Sequence, residues 1–164
     1  MSEVKVIYGS TSSCTENAAR MIAEAFGTIA VNITDATEAD FNAELLILGS
    51  STWGMGELQD DWAARISLLD RVDLKGKRAA VFGLGDQNSF ADTFVDAIQI
   101  LADKVQERGA VLIGKTSSAG YTHNASAAEK DGMFIGLALD DTNEAEKTPS
   151  RIAEWVENLK KEIS

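Results

Sequence analysis

The chain has few of the residues that covalent or metal staples require. Among its 164 residues there are one cysteine, one histidine and one proline. A single cysteine, Cys14, excludes an internal disulfide, and His123 as the only histidine excludes a cysteine/histidine metal cluster. No apolar run has the length of a membrane span, and no stretch resembles a signal peptide. We therefore expect a cytoplasmic protein in a reducing environment, with no membrane association.

Positive charge is also scarce. The chain has 15 lysines and arginines against 26 aspartates and glutamates, which gives a net charge of -11 at pH 7. Such a surface repels nucleic acid and anionic membranes, and it attracts proteins with basic surfaces. The hydrophobic content of 45% is ordinary for a globular protein. The length predicts one domain, residues 1–164, with a core that is stable without staples.

Short apolar runs alternate with amphipathic segments along the chain. Runs at residues 4–8, 29–33, 45–48, 79–82 and 111–113 predict strands, and their continuous apolar character is typical of parallel strands covered on both faces. Apolar residues at helical spacing lie within residues 18–26, 62–69, 94–105 and 152–163. Residues 114–136 break this alternation as an excursion between the fifth strand and the last helix. We predict an α/β fold, a single-domain doubly wound sandwich with a five-stranded parallel sheet and an insertion in the region of the fifth strand.

The segment that joins the first predicted strand to the first predicted helix is rich in hydroxyl groups. It reads Gly9-Ser10-Thr11-Ser12-Ser13-Cys14-Thr15 and contains no lysine or arginine. The N–H groups at a helix start lack intrahelical partners, and together with the helix dipole they attract anions. The five hydroxyls add hydrogen-bond donors without bulk. This first loop (residues 10–15) predicts a phosphate site based on hydrogen bonds and not on an ion pair.

Two more loops leave strand ends and carry an aromatic residue among glycines. The second loop (residues 51–60) contains Trp53, and the third loop (residues 83–92) contains Phe90. Ligands of doubly wound sheets bind outside the carboxyl ends of strands, where the winding reverses. The two rings predict a clamp around a flat ring system whose phosphate end lies in the first loop. The alternative is that both rings only pin their own loops to the core.

These motifs resemble those of the long-chain flavodoxins, and the resemblance extends over nearly the whole chain. Residues 10–15 match the phosphate loop of that family. Residues 52–54 with 57–59 match one flavin loop, and residues 83–87 with 90–92 match the other. Residues 132–140 are similar to the end of the insertion that marks the long-chain group. The chain departs from the family pattern at Ser13, where glycine is usual, and at Phe90, where tyrosine is usual.

The resemblance implies a flavodoxin-like fold and a low-potential carrier of single electrons on non-covalently bound FMN. Such a protein passes between oxidised, semiquinone and hydroquinone states and has no catalytic or metal-binding residues of its own. It implies a monomer whose partners are redox proteins with basic docking surfaces, such as a ferredoxin-NADP reductase. The cofactor-binding residues that it implies are Ser10, Thr11, Ser12, Ser13, Cys14, Thr15, Thr52, Trp53, Gly54, Gly85, Asp86 and Phe90.

Two features bear on the redox behaviour that the resemblance implies. The carbonyl group of Gly54 is expected to accept a hydrogen bond from the protonated flavin N5, so Gly54→Val should destabilise the semiquinone. Acidic residues on or near the loops are expected to lower the reduction potential of the flavin by tens of millivolts. The alternative for these acids is a solvated face that docks basic partners. They are Asp60, Asp61, Asp86, Asp92 and Asp140.

Three other functions compete with the carrier. An FMN-dependent NAD(P)H reductase of quinones or nitro compounds would use the same loops, but no G-x-G-x-x-G motif for a second dinucleotide follows a strand. Cys14 and Arg20 have the cysteine-x5-arginine spacing of small tyrosine phosphatases, yet Arg20 lies too far along the predicted helix to reach the anion. A phosphotransfer receiver domain lacks its acidic cluster here. We expect His123 at the surface of the insertion, and Cys14 as a small residue beside the phosphate.

Overall fold

The computed structural model describes residues 3–10, 13–53 and 56–163, with only the backbone of Trp53. Its main sheet has parallel strands β1 (Val4–Gly9), β2 (Ala30–Asn32), β3 (Leu45–Trp53) and β5 (Arg78–Leu84), and β1 lies between β2 and β3. A short strand, β4 (Glu57–Leu58), pairs antiparallel with the end of β3. The first connection turns to one side of β1 and the later ones to the other, which makes the sheet doubly wound as predicted.

The fifth position of the sheet is filled by two separate pieces of chain. Strand β6 (Val111–Leu112) pairs with the start of β5, and β10 (Leu137–Leu139) pairs with its end. The insertion, residues 114–136, therefore interrupts the fifth strand. The prediction of an insertion in this region is confirmed, but its placement after a completed strand is wrong. The sequence signal was weak because each piece is only two or three residues long.

Helices cover both faces of the sheet. They are α1 (Ser13–Ala25), α2 (Asp60–Arg65), α3 (Ala97–Glu107), α4 (Asp141–Glu144) and α5 (Thr148–Ile163). The apolar residues of α1 and α5 pack on one face with the side chains of β1 and β5 that point there, and α2 and α3 pack on the other. Two predicted helices are shorter than their apolar spacing indicates. The chain after Arg65 tightens into a 3-10 turn, and Phe94 precedes α3 instead of lying on it.

The insertion forms a small antiparallel sheet of its own. Strand β9 (Met133–Phe134) pairs with both β7 (Thr116–Ser117) and β8 (Glu129–Lys130). His123 lies inside this unit with its side chain only 5% exposed, 5.2 Å between ring centroids from both Phe94 and Phe134. Its Nε2 is 2.7 Å from Glu129 Oε1. The prediction of a surface histidine is therefore wrong, because its imidazole ring completes an aromatic cluster.

Candidate functional site

The three predicted ligand loops leave the sheet side by side. Strand register places Gly9 of β1 opposite Ser50 of β3, and Ser50 opposite Gly83 of β5. The first, second and third loops thus begin from one row across three neighbouring parallel strands, at their carboxyl ends. This is the edge where ligands of doubly wound sheets bind. The convergence that the sequence predicted is present in the backbone.

The first loop leads directly from a strand end into a helix. Strand β1 ends at Gly9 and α1 begins at Ser13, which is exposed, while Ser10 is half-buried. Thr15 is 1% exposed, and Cys14 packs against the apolar residues beneath α1. The N–H groups of a helix start have no partner within the helix, and together with nearby hydroxyls they are suited to an anion. Thr11 and Ser12 lie outside the described residues, and their predicted role stays a prediction.

A buried glutamine and a buried tryptophan lie beside the end of β1, where the first loop begins. A Cβ atom on Gly9 would be 2.3 Å from Gln59 Oε1 and 2.6 Å from Trp62 Cδ1, so only glycine allows this approach. Gln59 Oε1 accepts from the N–H groups of Asp61 and Trp62 and so caps α2. The Trp62 indole donates to the Gly49 carbonyl at 2.6 Å. The strand end that leads into the first loop therefore packs closely on Gln59 of the second loop and on Trp62 just after it.

The second loop includes the antiparallel pair formed by the end of β3 and by β4. Strand β3 extends to Trp53, five residues past the predicted end, and its last residues pair with β4. Thr52 Oγ1 accepts from the N–H of Ala97 at 3.0 Å and so caps the start of α3. Gly54 and the side chain of Trp53 lie outside the described residues, so the indole half of the predicted clamp stays a prediction.

The third loop presents an aromatic ring to solvent. Phe90 is 53% exposed, so its ring does not pin the loop to the core, and that alternative is wrong for this residue. The N–H of Phe90 donates to the carbonyl of Asp86 at 2.9 Å, which closes the loop on itself. An exposed aromatic face of this kind is suited to stacking on a flat ligand.

The carboxylate of Asp86 shapes the third loop. Its Oδ1 accepts from the N–H groups of Ser89 and Asn88 at 2.9 and 3.0 Å, and from Asn143 Nδ2 at 2.8 Å. The hydrogen bond from the Ser89 backbone is the largest cause that holds the pKa of Asp86 below its ordinary value. Gly85, also predicted in the site, donates its N–H to the Leu139 carbonyl, and an added Cβ would lie 3.0 Å from the Phe94 ring.

The acidic residues near the loops do not share one environment. Asp60 and Asp92 are exposed, whereas Asp61 and Asp86 are half-buried. Asp140 is fully buried, and its two oxygens accept from the N–H of Gln87, the N–H of Asn143 and Asn143 Nδ2. Asp140 therefore lies on neither a solvated face nor a docking surface, because its carboxylate is buried and hydrogen-bonded to Gln87 and Asn143.

Gln59 and Gln87 belong to the predicted flavin loops, but their structural roles were not predicted. Gln59 precedes Asp60 and Asp61, and acidic residues are favourable in a first helical turn. Glutamine is not among the preferred N-cap residues, so its capping role had no clear local signal. Gln87 is 1% exposed and bonds to residues 35 and 57 positions further along the chain. No local pattern announces such distant partners.

The described residues give no support to the phosphatase alternative. Arg20 forms an ion pair with Glu16 on the surface of α1, one turn earlier in the same helix. No cluster of three or more potential metal ligands is present among the described residues. None of the helices in residues 3–10, 13–53 and 56–163 has the length and apolar character to cross a membrane.

Fold and site together define a doubly wound α/β protein with a ligand site at the carboxyl edge of its sheet. The flavodoxin family model matches residues 6–155. The chain is 42% identical to a flavodoxin of Nostoc sp. over 98% of this chain and 97% of that one, and 45% identical to a flavodoxin of Trichodesmium erythraeum over 99% of both. The crystal structure of a Fusobacterium nucleatum flavodoxin bound to flavin mononucleotide superposes with a TM-score of 0.93, at 31% identity and 99% coverage of both chains. The chain belongs to the flavodoxin family, and the predicted resemblance is confirmed.

Proposed function

We infer that this protein carries electrons on a non-covalently bound FMN. The observation that carries the inference is the row Gly9, Ser50 and Gly83, which brings three ligand loops to one edge of the sheet. A similar flavodoxin, from Fusobacterium nucleatum, binds flavin mononucleotide. We further propose that residues 1–164 form one FMN-binding domain and that the protein performs no substrate turnover of its own.

The described residues of the site are suited to FMN. The start of α1 supplies N–H groups, and Ser10, Ser13 and Thr15 supply hydroxyls of the kind that hold a phosphate by neutral hydrogen bonds. The exposed ring of Phe90 is suited to one face of the flavin ring system. FMN supplies the reversible one-electron chemistry, while the protein binds the phosphate, orients the ring and excludes water from one of its faces.

The charge distribution supports basic redox partners. Asp60 and Asp92 are exposed at the loop edge, and the chain has a net charge of -11. Their fields steer a basic protein toward this edge and oppose added negative charge on the flavin, so a low reduction potential is part of the proposal. We also propose a cytoplasmic location, because Cys14 is a free thiol. We propose a monomer, because such a carrier needs its loop edge open to each partner.

The test is an FMN titration of the apoprotein followed by stepwise anaerobic reduction. We expect stoichiometric quenching of FMN fluorescence and two separated one-electron reductions in the visible spectrum. A protein that takes up no FMN would overturn the proposal. Rapid oxidation of NADH or NADPH by the purified flavoprotein alone would replace the carrier with the reductase alternative.

A further inference from the structure

The third loop is fastened to distant parts of the chain through one buried side chain. Gln87 is 1% exposed, and its Oε1 accepts from the N–H of Thr122 in the insertion at 2.6 Å. Its Nε2 donates to Glu144 Oε1 of α4 at 2.6 Å, and its backbone N–H donates to Asp140 Oδ2 at 3.1 Å. Two segments that are distant in sequence, the insertion and residues 140–144, therefore meet at one residue of the loop.

The insertion follows the third loop beyond Gln87. The N–H groups of Asn124 and Ala125 both donate to the carbonyl of Ala91, at 2.8 and 2.9 Å. Asn124 Nδ2 also donates to Asp92 Oδ1 at 3.2 Å. Phe90 lies between the two attachment points, Gln87 and Ala91. The backbone that carries the exposed ring is thus held on both sides by residues 122–125.

Glu144, which accepts the hydrogen bond from Gln87 Nε2, is itself held by two basic side chains. Glu144 accepts from Lys147 Nζ at 2.5 Å and from Arg151 Nη2 at 2.9 Å. The hydrogen bond from Lys147, followed by that from Arg151, lowers the pKa of Glu144 to about 2, so the carboxylate is charged at neutral pH. The Arg151 guanidinium carbon lies 4.2 Å from the ring centroid of Tyr121. Arg151 therefore contacts both Glu144 and the insertion, to which Tyr121 belongs.

We propose that Gln87 is a positioning residue through which the insertion holds the third loop, and with it Phe90, in the geometry that receives the flavin ring. The proposal rests on the proposed function. An amide side chain is required because one atom accepts from Thr122 while the other donates to Glu144. A glutamate would place two carboxylates together, and an apolar residue would leave both neighbours without their bonds.

Positioning and simple stabilisation lead to different results. Loss of a residue that only stabilises the fold lowers the stability of the apoprotein and of the FMN complex equally, which leaves the dissociation constant of FMN unchanged. A positioning residue keeps the loop in its binding geometry before the ligand arrives. Its loss raises the dissociation constant, because part of the binding energy must then order the loop.

The experiment measures FMN and riboflavin binding by fluorescence quenching, with thermal unfolding of each apoprotein in parallel. Gln87→Met keeps the volume and removes the three side-chain hydrogen bonds to Thr122 and Glu144, so both dissociation constants should rise about tenfold. The control is Arg108→Met, which removes a half-buried hydrogen bond to the Val72 carbonyl, outside both the insertion and the ligand loops. That control should lower the melting temperature and leave both dissociation constants unchanged.

A charge exchange supplies a second test that does not depend on Gln87→Met folding well. Gln87→Glu alone should weaken both ligands, and Gln87→Glu with Glu144→Gln should recover most of the affinity, because donor and acceptor have exchanged places. Native binding by Gln87→Met, or a double variant no better than Gln87→Glu, would overturn the inference. A wild-type protein that takes up no FMN would instead refute the proposed function on which it rests.

Discussion

The first and third loops lie at the same edge of the sheet, yet they are built in different ways. The groups that the first loop offers to an anion come from a strand end, Gly9, and from a helix start, Ser13, a few residues later. The third loop depends on Thr122, Asp140 and Glu144, which lie 35 to 57 residues from Gln87. The anion site is thus local in sequence, whereas the ring site is assembled by tertiary contacts. We therefore expect the two sites to fail independently.

Asp140→Ala should have the largest effect, and only on the third loop. It removes a fully buried carboxylate that three N–H groups share, so the free energy of unfolding should fall by about 3 kcal/mol. Riboflavin, which has no phosphate, should bind more weakly, while inorganic phosphate should bind as in the wild type. Urea unfolding and two ligand titrations measure these effects. Asp140→Asn keeps an acceptor oxygen and is the control; an equal loss of phosphate binding would show that the loops are not independent.

Thr15→Val should have the opposite signature. Valine keeps the shape of this buried side chain and removes its hydroxyl, so FMN should bind about thirtyfold more weakly while riboflavin binding is unchanged. Thr52→Val is the matched control, because that hydroxyl caps α3 through the Ala97 N–H and lies in the second loop. It should reduce stability and spare the phosphate contribution, which is the ratio of FMN to riboflavin affinity. An unchanged ratio in Thr15→Val would remove this residue from the phosphate site.

Phe90→Ala separates ring contact from loop fastening. The ring is 53% exposed, so its loss should leave the melting temperature of the apoprotein unchanged. The affinities for FMN and riboflavin should both fall about tenfold, because stacking and part of the ring burial are lost. Phe90→Tyr restores an aromatic face and should bind like the wild type. Equal affinities for Phe90→Ala and the wild type would mean that this ring does not cover the flavin.

The smallest expected effect is the contribution of Glu144 to stability at acidic pH. Because the pKa of Glu144 is lowered to about 2 in the folded protein, from an ordinary value of 4.5, its charge stabilises the fold above pH 4.5, and this stability is lost as the pH falls toward 2. Glu144→Gln lacks this titration, so its free energy of unfolding should fall less over that range than that of the wild type. Urea unfolding at several acidic pH values measures the difference. Parallel pH profiles for the two proteins would contradict the assignment.

The sequence predicted the fold and the local part of the site. Continuous apolar runs identified the central strands, since residues covered on both faces must all be apolar. The hydroxyl-rich stretch after β1 identified the first loop because a strand end and a helix start are local signals. Phe90 was identified as an aromatic residue in a glycine-containing loop, and its exposure agrees with that prediction.

The errors arise where distant residues decide the environment. His123 was expected at the surface because its neighbours in sequence are polar, but Phe94 and Phe134 enclose it in space. Asp140 was grouped with the acids near the loops, with a solvated face as the alternative, but it is a buried acceptor for the N–H groups of Gln87 and Asn143. Such pairings depend on how the insertion and residues 140–144 pack onto the rest of the fold, which no periodicity encodes.

The divided fifth strand has a consequence for how copies of the protein meet. An unbroken strand at a sheet edge offers a straight row of free N–H and C=O groups, which can pair with the edge of another molecule and begin aggregation. Here the edge consists of β6 and β10, two and three residues long, and the chain leaves the sheet between them. The opposite edge, β2, is also only three residues long. Edges this short leave little backbone for pairing, so we expect the protein to resist edge-to-edge association between copies.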